Sequence, residues 1–123
     1  MVRYRFALAV AVLAAGLAWA LPAGAHQTSR ALVSSVNVTA GKPSEFHFTL
    51  SKKTVAKGTV NFLVINKGAL PHDFKIFGHK TKLLSPGQAQ TLKVTFLKAG
   101  KYPYLCTVTG HAAAGMKGTF TVM

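Results

Sequence analysis

Apolar and polar residues alternate along most of this chain, and that alternation limits the folds open to it. In EFHFTL, 45–50, Phe46, Phe48 and Leu50 fall on one face and His47 on the other. In TVNFLVIN, 59–66, the apolar set is Val60, Phe62 and Val64; in DFKIF, 73–77, it is Phe74 and Ile76. TLKVTFL, 91–97, puts Leu92, Val94 and Phe96 opposite Lys93 and Thr95, and GTFTV, 118–122, offers Phe120 and Val122. Side chains of a strand point to alternate faces, so a period of two rich in Val, Phe and Thr marks half-buried strands. Two more strands are expected, about Leu32 to Thr39 and Lys101 to Cys106. The second carries Pro103, which fits where its missing N–H costs nothing, at an edge or bulge. Gly41-Lys42-Pro43, Lys57-Gly58, Lys67-Gly68, Ser85-Pro86-Gly87 and Ala99-Gly100 punctuate the strands as turns. No segment beyond the first 25 residues sustains a helical period. About seven short strands at this spacing predict an all-β fold, an antiparallel Greek-key β-sandwich.

The N-terminal stretch follows a different logic. MVRYRFALAVAVLAAGLAWALPAGA sets Arg3 and Arg5 before an apolar run from Phe6 to Leu21, then Pro22 and the small residues Ala23-Gly24-Ala25. That is the layout of a secretory signal peptide. A retained membrane anchor is the alternative, because the run approaches the shortest spanning helices, roughly 17 residues. Pro22 and the small residues end the run where a peptidase acts, which favours cleavage. The expected organisation is a signal peptide, 1–25, and one domain, 26–123, exported to a periplasm, the cell surface or the medium. A domain of this size with one cysteine has no internal disulfide to support it. In an oxidising compartment an unpaired thiol is a hazard unless something occupies it. A buried inert thiol and an intermolecular disulfide are the alternatives to occupation.

Fifteen lysines and arginines stand against two acids, Glu45 and Asp73. Such a field attracts acidic proteins or an anionic membrane or wall surface. Nucleic acid is not expected, because the lysines are scattered, with no arginine-rich run or nucleic-acid-binding motif. The chain has no internal repeat, low-complexity tract or linker.

The lone thiol lies in YLCTVTGHAAAGMKG, 104–118. A strand ends at Cys106, a loop of small residues carries His111 and Met116, and the chain re-enters a strand at Gly118. Such a loop can gather a thiolate, an imidazole and a thioether around one point. A copper ion that shuttles an electron takes two His and one Cys in a trigonal plane, with a weak, long axial Met. The second histidine must come from elsewhere, and His72 in NKGALPHDF, 66–74, is the candidate. It follows a turn, starts a strand and is approached through the stiff Pro71. His47, on the outward face of its strand, and His79, in a lysine-flanked loop, are rivals expected to be solvated. His26 would be the first residue after cleavage, with an amine and an imidazole as in half of a histidine brace, yet no motif supplies the opposing histidine. Zinc suits one Cys and two His with water in the fourth position. The methionine argues for copper, since a thioether adds little to a zinc site.

PHDF, 71–74, followed by YLCTVTGHAAAGM, 104–116, resembles the cupredoxins, the small type 1 blue copper proteins. The Cys-x4-His-x4-Met spacing is most similar to rusticyanin-like members, with azurin- and plastocyanin-like members close. The resemblance extends from about Ser44 to Val122 and includes the VINKG turn. It implies His72, Cys106, His111 and Met116 as ligands of one Cu(II)/Cu(I) ion, one-electron transfer as the activity, and redox proteins as partners. Asp73 departs from the family pattern, in which an Asn or Ser often follows the first His and hydrogen-bonds across to the ligand loop. A carboxylate there either stabilises Cu(II) or accepts backbone N–H bonds and replaces that lock.

His111, between Gly110 and three alanines, suits a ring reaching the surface through an apolar rim where a partner docks. Lysines such as Lys67, Lys75, Lys80 and Lys117 would steer an acidic partner, less so in salt. The expected function is a mobile, monomeric single-electron carrier. The alternative is a copper-binding protein for storage, delivery or resistance. An enzyme is not expected. Multicopper oxidases and copper nitrite reductases need further His clusters and longer chains, and a binuclear copper centre needs two cysteines.

Overall fold

The computed structural model describes Gly24 and residues 31–123. The expected leader, its cleavage site and His26 lie outside the described residues. Nine strands are present among those described: β1 (Val33–Ala40), β2 (Phe48–Leu50), β3 (Thr54–Val55), β4 (Gly58–Asn66), β5 (Lys75–Ile76), β6 (His79–Lys80), β7 (Ala89–Phe96), β8 (Gly100–Leu105) and β9 (Lys117–Val122). They form two sheets, β2-β1-β4-β7 and β3-β9-β8-β5-β6, packed as a sandwich. No helix among the described residues is long and apolar enough to cross a membrane.

The alternation places side chains as expected. Val60, Phe62 and Val64 of β4, Leu92, Val94 and Phe96 of β7, and Phe120 and Val122 of β9 are buried, whereas Lys93 and Thr95 are exposed. Aromatic rings fill the space between the sheets. Phe62 of the first sheet meets Phe120 of the second with centroids 5.2 Å apart, and Phe48 meets Phe74 at 5.3 Å, both edge to face. Each such pair adds about 0.5–1.5 kcal/mol to what burial of the rings contributes.

Three expectations need correction. The sandwich is not purely antiparallel: β1 runs parallel to β4 from Val33↔Thr59 to Ala40↔Asn66, and β3 runs parallel to β9. A period of two sets which face is buried and says nothing about a neighbour's direction. Two strands are also shorter than the alternation suggests. EFHFTL pairs only over Phe48–Leu50, because Glu45 hydrogen-bonds across to 69–72, and DFKIF only over Lys75–Ile76, because Asp73 is held by Thr107. His79, expected in a loop, sits in the exposed strand β6, and β3 had no sequence signal. Pro103 is where expected: it faces Thr119 on β9, and β5 reaches only Tyr104 and Leu105 on the other side.

At one pole β1, β4 and β8 end and β7 and β9 begin. There the loops after β1, β4, β6 and β8 come together, tied by Lys67 N–H to Ala40 C=O (2.9 Å) and Asn66 N–H to Gln88 C=O (2.9 Å). The opposite pole holds Val33, Gly58, Phe96 and Gly100.

Candidate metal centre

His72 belongs to the loop after β4, and its backbone is fixed before its ring is used. It exchanges both backbone hydrogen bonds with Leu84, at 3.0 and 2.8 Å. Asn66, fully buried, shapes the approach: its side-chain N–H groups donate to Leu70 C=O and Leu84 C=O, both at 2.8 Å, and its carbonyl accepts from Gly68 N–H at 2.9 Å. Nothing in the sequence pattern marked Asn66 beyond its turn. An Asn66→Ala protein loses three side-chain hydrogen bonds and strands buried partners, which should cost about 3 kcal/mol at roughly 1 kcal/mol per bond. Urea denaturation of metal-free protein measures this, and an unchanged midpoint would refute the role.

The loop between β8 and β9 folds back on itself. Cys106 N–H donates to Met116 C=O at 3.1 Å, Met116 N–H to His111 C=O at 3.0 Å, and His111 N–H to Val108 C=O at 3.0 Å. Gly110, with φ 84°, takes a left-handed turn that a side chain resists. These ties close the loop over the end of β8 and bring Cys106, His111 and Met116 under one roof. All three are buried, with Met116 at 0 % exposure and His111, the most open, at 8 %.

Three donor atoms meet there. His72 Nδ1 lies 3.1 Å from His111 Nδ1, and Cys106 Sγ lies 3.6 Å from His111 Nδ1 and 3.9 Å from His72 Nδ1. A first-row ion about 2.0 Å from each nitrogen and about 2.3 Å from sulfur, at about 120° in one plane, separates N from N by about 3.5 Å and N from S by about 3.7 Å. The triangle fits such an ion with shifts of a few tenths of an ångström. Among the described residues this is the cluster of His, Cys or acidic donors with metal-binding geometry. His47 and His79 are exposed and lie outside it.

Electrostatics prepare the donors. Burial, and then the neighbouring His72, lowers the pKa of His111, so its ring is neutral and keeps a lone pair at neutral pH. Burial pushes the Cys106 thiol up, so the metal-free protein holds a proton on Sγ that a bound cation displaces. Phe46 packs edge-on against the His111 ring with centroids 5.0 Å apart and limits its rotation.

Glu45 was not singled out from sequence, and it grips the other side of His72. Its Oε1 accepts from His72 Nε2 at 2.7 Å and from Leu70 N–H at 3.0 Å, and its Oε2 from Ala69 N–H at 2.9 Å. The two backbone N–H groups are the main reason its pKa falls from 4.5 to about 2. With Nε2 donating to the carboxylate, Nδ1 of His72 is left with its lone pair toward Cys106 and His111. Gly68 makes room: a Cβ there would lie 2.5 Å from Glu45 Oε1 and 2.9 Å from His72 Nε2. Asp73 resolves to the lock: it accepts from Thr107 N–H at 2.6 Å and from the Thr107 hydroxyl, pinning the start of the ligand loop beside Cys106.

A β-sandwich with two histidines and a cysteine converging at one pole defines a class, the mononuclear copper proteins built on this fold. The chain belongs to the cupredoxin family: the cupredoxin-like domain matches residues 9–122. Its cofactor is copper, and His72, Cys106 and His111 are arranged as a copper site. No curated protein matches the sequence. Among solved structures, auracyanin B is 20 % identical, with a TM-score of 0.62 over 78 % of this chain and 92 % of that one. Auracyanin A, a "blue" copper protein from the green thermophilic photosynthetic bacterium Chloroflexus aurantiacus, is 18 % identical, with a TM-score of 0.61 over 74 % and 99 %. Rusticyanin from Thiobacillus ferrooxidans is 24 % identical, with a TM-score of 0.61 over 74 % and 77 %. At these identities the likeness is one of fold.

Proposed function

We propose that the chain is an exported type 1 copper protein that carries single electrons between redox partners. His72 Nδ1, Cys106 Sγ and His111 Nδ1 would hold the ion, and Met116 would add a weak thioether donor. The carrying observation is the donor triangle of 3.1, 3.6 and 3.9 Å, formed by side chains that are already buried and tethered. When bound, copper supplies a site that gains and loses one electron between Cu(II) and Cu(I). The protein's part is to hold the donors so that neither oxidation state demands a new arrangement. Asn66, Glu45 and the Leu84 bridge stiffen His72; Asp73 and Met116 C=O stiffen Cys106. Burial keeps water from the donors, and His111 alone nears the surface, where a partner can approach.

The same burial favours carrying over delivery, because an acceptor protein would have to open the loop to take the ion. The fold shared with a "blue" copper protein supports the reading. In it, residues 1–25 are a leader, 26–123 the working domain, and the lysines attract an acidic redox partner. Visible spectra of the copper-loaded protein, oxidised and then reduced, test it. An intense absorption toward the red that vanishes on reduction and returns on oxidation is expected; a colourless protein that hands copper to a chelating acceptor would overturn it.

Met116→Leu tests the axial role. The variant should keep copper and its blue colour, and its potential should rise, because Cu(I) is content with three donors whereas Cu(II) favours a fourth. Cyclic voltammetry reads this, and an unchanged potential removes Met116 from the axis.

A further inference from the structure

The pole opposite the metal centre carries apolar surface that electron transfer does not use. Directly after β7, Leu97 is 82 % exposed, and Leu32 and Phe77 beside it are 63 % and 55 % exposed. Two shallow grooves flank Leu97. One, of about 360 Å³, is lined by Phe77, Lys98 and Tyr102, and the other, of about 480 Å³, by Leu32 and Lys57. Leu97 lines both, so the surface is continuous.

Its side-chain charge is one-sided. The chain has two acidic side chains, and both are engaged at the far pole, Glu45 with His72 and Asp73 with Thr107. The Leu97 pole therefore has exposed lysines and no acidic side chain. A wall polyanion would meet the lysines but offers no apolar phase for an exposed leucine and phenylalanine, and an acidic protein would have to bring an apolar patch shaped to all three side chains. An anionic bilayer offers both, phosphates above acyl chains. The described chain also enters the fold at this pole, at Leu32, downstream of the apolar run Phe6–Leu21. A leader that stayed attached would tether the chain to the membrane from this same pole.

We propose that this pole rests on an anionic phospholipid bilayer. Leu97 inserts, with Leu32 and Phe77 around it, and Lys57 and Lys98 lie against head-group phosphates. The metal centre then faces away from the membrane, open to partners arriving from solution. The contact stands whatever metal the other pole binds, so its failure and that of the electron-carrier reading are separable.

The test uses the copper-loaded protein in the form its cell exports, with Trp19→Phe removing the chain's one tryptophan and Leu97→Trp placing an indole at the tip. Emission should shift to the blue with phosphatidylglycerol vesicles, far less with phosphatidylcholine, and the shift should fade with salt. Leu97→Ser should weaken co-sedimentation with the anionic vesicles about tenfold, the order expected from leaving one leucine unburied. Leu63→Ser, on the outer face of β4, should leave it unchanged. If the exported form keeps its leader, sedimentation persists in every variant and the indole shift decides. No shift with anionic vesicles overturns the proposal. So does an equal shift with a lipid-free polyanion, or Leu97-dependent dimerisation without vesicle binding, which would make a second copy the occupant.

Discussion

Cys106→Ser protein should fold, bind copper poorly and show none of the intense absorption of the parent. The side chain is 1 % exposed, and its backbone is pinned by Met116, so serine fits the same space without a cavity. The fold therefore survives, and the loss falls on the metal. Serine's hydroxyl does not give up its proton near neutral pH, and an alkoxide-free oxygen is a poor partner for Cu(I). No second thiol exists in the chain to replace it. Affinity should fall by more than the roughly 10–100-fold that losing an outer partner costs. Loading the parent should also release a proton that the variant does not, because burial keeps Sγ protonated until a cation arrives. Absorption spectroscopy and a pH-stat titration measure both. A variant that stayed blue would remove Cys106 from the site.

Glu45→Gln should raise the potential and loosen His72. The glutamine has nearly the same size, but its amide nitrogen brings a donor to a place where Ala69 N–H, Leu70 N–H and His72 Nε2–H all donate. A negative charge 2.7 Å from the His72 ring also disappears, and with it support for the higher oxidation state. Outer partners of metal-bound histidines are worth about 10–100-fold in affinity. If that loss falls on Cu(II), the potential rises by roughly 60–120 mV at 59 mV per tenfold for one electron. Unchanged voltammetry would show that the carboxylate is only a strut for the loop.

The same carboxylate has a signature in pH. Its pKa is about 2 in the folded chain against 4.5 unperturbed, so the folded state resists protonation that the unfolded state accepts. Its contribution to stability is full above about pH 4.5 and fades as the pH falls from there toward 2. Denaturation of metal-free parent and Glu45→Gln should therefore converge across that window. Curves that stay a fixed distance apart would mean that the charge does not matter.

How much of this was legible beforehand depends on the range of the interaction. The inward faces of β4, β7 and β9 follow from a pleat whose period is local, so single segments disclose them. Cys106 and His111 share one loop with Met116, so their spacing can be read from a single segment, whereas His72 comes from another. Position 73 could be weighed as a lock or a charge, but only Thr107 opposite it decides for the lock.

Other features are set by what lies across the fold. The direction of β1 beside β4 depends on which sheet each strand joins, and alternation is blind to that. Glu45 sits 27 residues from His72, and its strand pattern concealed that it leaves the strand to reach the ring. His72 itself could be nominated from sequence, yet its approach to Cys106 across 34 residues depends on two sheets stacking in one register. The sequence by itself determined strands β4, β7 and β9, their buried faces and the loop that carries Cys106 and His111, because those are written in neighbouring residues. The tertiary structure alone decided the parallel pairings, the Glu45–His72 clamp and the Asn66 staple, because hydrogen bonds between distant segments exist only once packing has chosen which segments are adjacent.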